Sequence, residues 1–134
     1  MKKLINIYKP FHYSNTQCFI ITLNITRGGY YKIEQKLPAV MKTVKAVFVS
    51  ASSISPPVMG LSLWQYGFIS FGLNEGQIKC YQRPVIDISR RTDCPQPQEL
   101  NEPVKDGSLL QGYYQDMART IYPYTVKIYL HYTS

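Results

Sequence analysis

The stretch that decides the fold is YPYTVKIYLHYT, residues 122–133 near the end of the chain. Every second position from Tyr122 to Tyr132 is apolar or aromatic, whereas the positions between them carry Pro, Thr, Lys, Tyr and His. A period of two residues is that of a β-strand with one face against a core. Because an isolated strand is unstable in water, the segment predicts a last strand that is docked into a sheet.

The same alternation occurs near the start of the chain. Residues 18–26 place four apolar side chains on one face of a predicted strand and polar ones on the other. The four are Phe19, Ile21, Leu23 and Ile25. Gly28 and Gly29 tolerate the positive φ of a tight hairpin, which predicts that residues 30–37 return beside this strand. Cys18 lies in the apolar pattern, so we expect it to be buried as a small hydrophobe.

Further strands are predicted where β-branched and aromatic residues run between turn residues. These segments are 41–50, 59–64, 66–73, 77–81, 85–88 and 108–115. Residues 50–57 are rich in Ser and Pro and predict a loop, whereas residues 116–119 predict a short helical turn. Residues 89–107 hold closely spaced prolines and few apolar side chains, so they predict a long loop.

These elements predict an all-β fold, a single-domain antiparallel β-sandwich of about eight strands. At 134 residues the chain has a common length for one domain and can bury a core without staples. We expect the domain to span residues 1–134, with residues 1–14 as an N-terminal arm and residues 89–107 as a long loop.

The charge of the chain is unevenly distributed. The net charge is +7, and all of it comes from residues 1–50, which hold eight basic residues and one acidic residue. This asymmetry indicates an anionic partner, either nucleic acid or an acidic protein surface. The lysines are spread singly along predicted strands, however, and lysines that solvate a strand or protect a sheet edge are spaced in the same way.

The chain offers little of the chemistry that enzymes use. Its cysteines and its two histidines, His12 and His131, lack the paired spacing of a zinc site, and there is no phosphate-binding glycine loop. Acidic residues gather around the long loop, where solvation or a basic partner explains them better than acid–base catalysis does. They are Asp87, Asp93, Glu99, Glu102 and Asp106. We predict no catalytic residue, no cofactor and no metal, and we expect the protein not to be an enzyme.

Two binding functions stay open beside a structural one. The aromatic residues Tyr30, Tyr31, Phe68 and Phe71 have lysines nearby and would suit a stacking platform for single-stranded nucleic acid. Strand alternation puts Tyr30 and Tyr31 on opposite faces, so at most one of them joins such a platform. A nucleic-acid-binding β-barrel is therefore the alternative function. A small-ligand or glycan site flanked by Trp64 and Tyr66 is the third.

Three features of the chain coincide over residues 17–133: many short strands in one small domain, 12 tyrosines with 17% charged residues, and a Pro- and Gln-rich loop before the last strands. In this the chain resembles the small jelly-roll structural proteins of tailless icosahedral bacterial viruses, which include minor and vertex (penton-type) capsid proteins. The resemblance implies a jelly-roll-like sandwich and self-association around a symmetry axis, with a pentamer as one arrangement. It also implies contact with a major capsid protein and a place in the virion.

The distribution of charge suggests which residues would meet a neighbour. A basic first half and an acidic loop supply complementary patches for head-to-tail contacts between subunits. The arm carries basic and aromatic residues that would reach inward to nucleic acid or lie on a neighbouring subunit. The predicted interface residues are Lys2, Lys3, Tyr8, Phe11, Tyr13, Arg90, Arg91, Glu99, Glu102 and Asp106. No apolar run has the ~18 residues of a membrane span, and no secretory signal is evident, so we expect synthesis in the host cytoplasm.

Overall fold

The computed structural model describes residues 16–53, 65–74, 81–86, 97–117 and 122–134. In these ranges the chain forms eight β-strands and no helix. The strands are β1 (Gln17–Ile25), β2 (Tyr30–Lys36), β3 (Thr43–Ser53), β4 (Gln65–Gly72), β5 (Tyr81–Ile86), β6 (Gln98–Pro103), β7 (Leu109–Asp116) and β8 (Tyr124–Thr133). The predicted all-β class is confirmed.

The strands form two four-stranded antiparallel sheets. The first sheet has the order β1-β8-β3-β6, and the second sheet has the order β2-β7-β4-β5. Each strand is followed by a strand of the other sheet, with one exception. The exception is β4, which is followed by its neighbour β5 in the second sheet. This connectivity is that of a jelly roll, in which two sheets share interlocked Greek keys. The predicted antiparallel sandwich of about eight strands is confirmed.

The core lies between the sheets and follows the alternation of the sequence. In β8, Val126, Ile128 and Leu130 are fully buried, as the two-residue period predicts. In β1, Ile21 and Ile25 are buried, whereas Phe19 and Leu23 are half-buried against the same core. The difference arises because β8 has a neighbour on each side, while β1 is at the edge of the first sheet.

A glycine in the second sheet allows β4 and β7 to approach closely. Gly112 in β7 is paired with Ile33 in β2 and with Phe71 in β4. A Cβ atom at position 112 would lie 2.0 Å from the carbonyl oxygen of Ser70 and 2.6 Å from the Cα of Phe71. Both atoms belong to backbone that is fixed by the sheet. Glycine is therefore required here by the close approach of two strands rather than by a positive φ.

The connection between β1 and β2 corrects the predicted hairpin. Gly29 does adopt a positive φ of 123°, as the sequence indicates. However, β1 pairs with β8 and β2 pairs with β7, so the turn leads from one sheet to the other. The Tyr31 hydroxyl fastens this crossing, because it accepts hydrogen bonds from the amides of Thr26 and Arg27 and donates to the Arg27 carbonyl at 2.8 Å.

The prediction of a long loop at residues 89–107 is wrong for its second half, because Gln98–Pro103 form β6. This strand lies at the edge of the first sheet and pairs with β3. Its exposed positions are Glu99, Asn101 and Pro103, and Leu100 is the apolar side chain that packs against the core from within it. A strand with one apolar anchor has no detectable period, which is why composition alone favoured a loop.

Four smaller expectations are also corrected. Residues 50–53 of the predicted loop at 50–57 belong to β3, which continues to Ser53, and residues 54–57 lie outside the described residues. The segments 77–81 and 85–88 were expected as separate strands, but β5 runs through Pro84 at an edge that tolerates proline. Asp116 ends β7 rather than starting a helical turn. Cys18 is exposed, because it lies on the outer side of the first sheet and not among the core residues.

Candidate interaction surfaces

Aromatic side chains gather on the outer side of the second sheet. The strand register aligns Tyr30 in β2 with Gln115 in β7 and Phe68 in β4, and Tyr113 lies one row away. Tyr30 is 71% exposed, and its ring meets that of Tyr113 edge to face with centroids 5.9 Å apart. We call Tyr30, Phe68 and Tyr113 the aromatic face. It is a sheet surface on which Tyr30 is exposed and the rings of Phe68 and Tyr113 are half-buried.

Polar side chains around the aromatic face bond to one another. Lys32 Nζ lies 3.9 Å from Glu34 Oε2, and both side chains are largely exposed, so this pair adds little stability. Gln111 donates from Nε2 to the same carboxylate at 3.3 Å. The charge of Lys32 is thus offset beside the aromatic face. This reduces the attraction of the surface for a phosphate backbone.

Of the four residues predicted for the stacking platform, two lie on the outer face of the second sheet and two do not. Tyr30 and Phe68 do share one face, and Tyr31 lies on the opposite side of β2, as alternation requires. Phe71 is fully buried and stacks on Tyr81 with centroids 5.1 Å apart, so it faces no ligand. Tyr113 was not predicted as part of this surface, because the approach of Tyr113 to Tyr30 depends on the pairing of β2 with β7.

The site proposed between Trp64 and Tyr66 is not supported by the position of Tyr66. This side chain is fully buried, and its ring meets that of Tyr124 edge to face at 4.8 Å. Trp64 lies outside the described residues. Tyr66 is therefore part of the core and does not flank a glycan site.

The lysines of the first half are divided between the two sheets. Lys32 and Lys36 belong to β2 in the second sheet, whereas Lys45 lies in β3 of the first sheet, at the irregularity between Val44 and Ala46. A nucleic-acid backbone needs a continuous basic track. Lys32, Lys36 and Lys45 are divided between the two sheets, so these three lysines do not follow one sheet.

Three of the ten predicted interface residues fall within the described part of the chain. Glu99 is exposed and Glu102 half-buried in β6, and Asp106 is exposed in the turn that follows. Asp106 lines a shallow hollow together with Lys36, Leu37, Ala39 and Gly107. The acidic turn therefore lies beside a lysine of the basic half within one molecule. The other seven residues lie outside the described ranges: Lys2, Lys3, Tyr8, Phe11, Tyr13, Arg90 and Arg91.

The acidic turn is held in place by one side chain of the segment after β4. Asn74 Oδ1 accepts hydrogen bonds from the Lys105 amide at 2.9 Å and from the Ser108 hydroxyl at 2.8 Å. Its Nδ2 donates to the Pro103 carbonyl at 2.9 Å. Asn74 therefore fixes the connection between β6 and β7, and with it the position of Asp106.

The outer side of the first sheet carries a row that crosses all four strands. The register aligns Cys18 in β1, His131 in β8, Ala46 in β3 and Glu99 in β6. His131 is buried, and this burial lowers its pKa from the ordinary value of 6.5. Desolvation raises the pKa of the Cys18 thiol, which makes it less reactive than a free cysteine.

We expect the protein to lose stability as the pH falls below about 6.5, because unfolded His131 binds a proton there while the buried imidazole resists protonation. The stability that neutral His131 supports is fully present above the unfolded pKa and declines as the pH approaches the lower, folded value. Urea unfolding at several pH values between about 7.5 and 5, which span the range in which histidine titrates, would measure this change in the free energy of unfolding. The variant His131→Gln should show a flatter profile in this window. An equal decline in both proteins would contradict the assignment.

A carboxylate and three tyrosines form a hydrogen-bonded cluster between β7 and β8. Asp116 accepts short hydrogen bonds from the hydroxyls of Tyr122 and Tyr124. The Tyr114 hydroxyl lies 2.7 Å from that of Tyr124. Since Tyr124 has one proton and gives it to Asp116, Tyr114 is the donor in this pair. We call Asp116, Tyr114, Tyr122 and Tyr124 the tyrosine–aspartate cluster.

The cluster is suited to holding strands together rather than to proton transfer. Burial is the main cause that raises the pKa of both Tyr114 and Tyr124, and the bond to Asp116 adds to it for Tyr124. Both hydroxyls stay protonated at neutral pH and act as donors. The bonds link the end of β7 to the start of β8, which belong to different sheets.

The described ranges contain no group of three or more His, Cys, Asp or Glu side chains placed to hold a metal ion. They also contain no helix of the length and apolar character needed to cross a membrane.

Comparisons with protein-family models, with curated proteins and with solved structures found no match for this chain. Its function must therefore be argued from the geometry of the fold and its surfaces.

Proposed function

We propose that the chain is a non-enzymatic structural subunit that self-assembles, of the minor or vertex type present in capsids of tailless icosahedral bacterial viruses. Its partners would be further copies of itself and a major capsid protein, and its place of action the virion. The observation that carries the proposal is the jelly-roll order of the two sheets, β1-β8-β3-β6 and β2-β7-β4-β5. Jelly rolls are a recurrent building unit of viral capsids.

Because lectins and other proteins use the same architecture, the surface has to add support. Large apolar side chains are exposed at several places on the described surface. They are Ile20, Tyr30, Val40 and Met117. A charged fraction of 17% is also low against the usual value of about 25%. Both features favour a protein whose faces are covered by neighbouring subunits.

The polar groups that the fold brings together are used for packing. The tyrosine–aspartate cluster joins the two sheets, and Asn74 fixes the turn that carries Asp106. Groups committed to such bonds stabilise a rigid subunit, and rigidity suits a building block. This supports a structural role over catalysis.

The proposal predicts that the purified protein forms a discrete oligomer whose mass is the same at low and high salt. Contacts between apolar faces survive salt, whereas bonds to a phosphate backbone weaken steeply as salt rises. Light scattering after size-exclusion chromatography would measure the mass at both salt concentrations. A monomer at every micromolar concentration tested would contradict self-assembly.

The same experiment tests the nucleic-acid alternative. The absorbance ratio at 260 and 280 nm, standard wavelengths for nucleic acid and protein, would reveal bound nucleic acid in the eluted peak. A monomer that carries nucleic acid at low salt and releases it at high salt would favour a nucleic-acid-binding protein. The division of the lysines between the two sheets argues against this result.

A further inference from the structure

The four edge strands of the two sheets differ in how they are protected. Edge strands expose unpaired backbone groups, and proteins commonly prevent unwanted pairing with charged residues, proline or an irregular backbone. Three of the four edges, β2, β5 and β6, carry such residues. They are Lys32, Glu34 and Lys36 in β2, Arg83 and Pro84 in β5, and Glu99, Glu102 and Pro103 in β6. In β6, Asn101 also has a positive φ of 53°.

The fourth edge, β1, has none of these protections. Its nine residues, QCFIITLNI, include no charge, no proline and no glycine. Its register with β8 is continuous from Gln17 to Ile25, so no bulge turns it away from a partner. Within the described residues β8 is its one hydrogen-bonded neighbour. A long, regular and uncharged edge is suited to accept another strand.

The side chains of this edge are incompletely covered. Phe19 and Leu23 point toward the core but are half-buried, and Ile20 on the outer side is 49% exposed. A strand added beside β1 would cover all three. Association would therefore be favoured both by the apolar surface that is buried and by the new backbone hydrogen bonds between the two strands.

We propose that β1 pairs antiparallel with β1 of a second copy, which joins two first sheets into one continuous sheet across a two-fold axis. This inference rests on the proposed self-assembly and specifies the edge that carries it. The register that best matches apolar residues is centred on Thr22. It sets Phe19 against the partner's Ile25 and Ile21 against the partner's Leu23.

A second copy fits this edge better than an unrelated strand for a reason of sequence. In the register centred on Thr22, the four apolar inward positions meet one another, and Ile20 on the outer side meets the partner's Asn24. No pair brings like charges together, and such pairs would destabilise the sheet. An isologous contact requires a patch that is complementary to itself, and β1 meets that condition.

The test is the mass of the full chain and of two lysine variants across the micromolar range, where small interfaces associate. Ile20→Lys places a charge on the unprotected edge. Val40→Lys is the matched control, since Val40 is also β-branched and is 54% exposed in a turn away from that edge. We expect an even number of copies for the unmodified protein and for Val40→Lys. For Ile20→Lys we expect half the mass of the unmodified oligomer, because the added charge should raise the dissociation constant of the β1 contact about tenfold or more.

The outcomes separate this inference from the proposed function. A mass that Ile20→Lys leaves unchanged, or an odd number of copies, overturns the β1 pairing but leaves self-assembly standing. A monomeric unmodified protein contradicts both. Circular dichroism would check that each variant is folded, and Thr22→Lys, at another exposed position of β1, is a second edge variant for the same measurement.

A distance measurement tests the register without altering the edge. Cys18 is exposed and takes a nitroxide label in a protein that carries Cys80→Ser and Cys94→Ser. In the proposed register Cys18 lies opposite the partner's Thr26, so the two labelled sites are offset by eight positions along the strands. At about 3.3 Å per residue this gives roughly 26 Å between the two backbone sites. Dipolar electron resonance should detect one short distance, and its absence overturns the register.

Discussion

The variant Gly112→Ala is expected to lose about 4 kcal/mol or more of its free energy of unfolding, or to fail to fold. The added Cβ would lie 2.0 Å from the Ser70 carbonyl oxygen and 2.6 Å from the Cα and Cβ of Phe71. These atoms cannot move independently, because β4 is held between β5 and β7. Urea unfolding followed by tyrosine fluorescence would measure the loss.

Gly28→Ala is the matched control for this substitution. A Cβ at position 28 would meet the Tyr122 hydroxyl at 3.4 Å and an Asp116 carboxylate oxygen at 3.5 Å, which are ordinary contacts. We expect a change within about 0.5 kcal/mol, as for most surface substitutions. Equal losses in the two variants would show that the close approach of β4 and β7 is not what requires Gly112.

The variant Asp116→Ala is expected to lose about 3 kcal/mol, because the hydroxyls of Tyr122 and Tyr124 would lose their common acceptor. A buried donor that is left without a partner costs about 1–3 kcal/mol. Both hydrogen bonds are made to a carboxylate, and such bonds are stronger than those between neutral groups. Urea unfolding at neutral pH would measure the change.

A double-mutant cycle with Tyr124→Phe would show whether the cluster acts as one unit. The loss in Asp116→Ala combined with Tyr124→Phe should be smaller than the sum of the single losses, because both changes break the same bond. Gln115→Ala, at the neighbouring outward position of β7, should have little effect. Strict additivity of the two cluster variants would contradict the hydrogen bonds described for Asp116.

Where the sequence has a strong period, the fold was predictable from it. β8 buries every second residue from Tyr124 to Tyr132, and β1 turns every second residue toward the core, with Phe19 and Leu23 half-buried; the alternation in residues 122–133 and 18–26 indicates both strands directly. β6 was missed because it is an edge strand with Leu100 as its apolar anchor. The proline in β5 was read as a break, whereas an edge strand can accommodate it. Periodicity thus finds strands that are buried on one face and misses edge strands that are mostly solvated.

The surfaces were less predictable, because they depend on which strands become neighbours. Tyr30 and Phe68 are far apart in sequence and lie in one row of the sheet, because the register of β7 aligns both with Gln115. Cys18 was expected in the core because its neighbours are apolar. Its own position is an outward one, on the opposite side of β1 from Phe19 and Ile21. Pairing partners follow from the topology of the whole sandwich, and local patterns do not specify them.

The place of β8 in the first sheet has a consequence for how the chain reaches its native state. β8 lies between β1 and β3, and Gln17 is paired with Tyr132. On a ribosome, β1 and β3 are made long before the strand that separates them exists, so the apolar sides of both stay open until β8 has been synthesised. Such long-range pairing makes folding slow, on the order of milliseconds to seconds, and late. The nascent chain is therefore an aggregation-prone species that chaperones would be expected to shield.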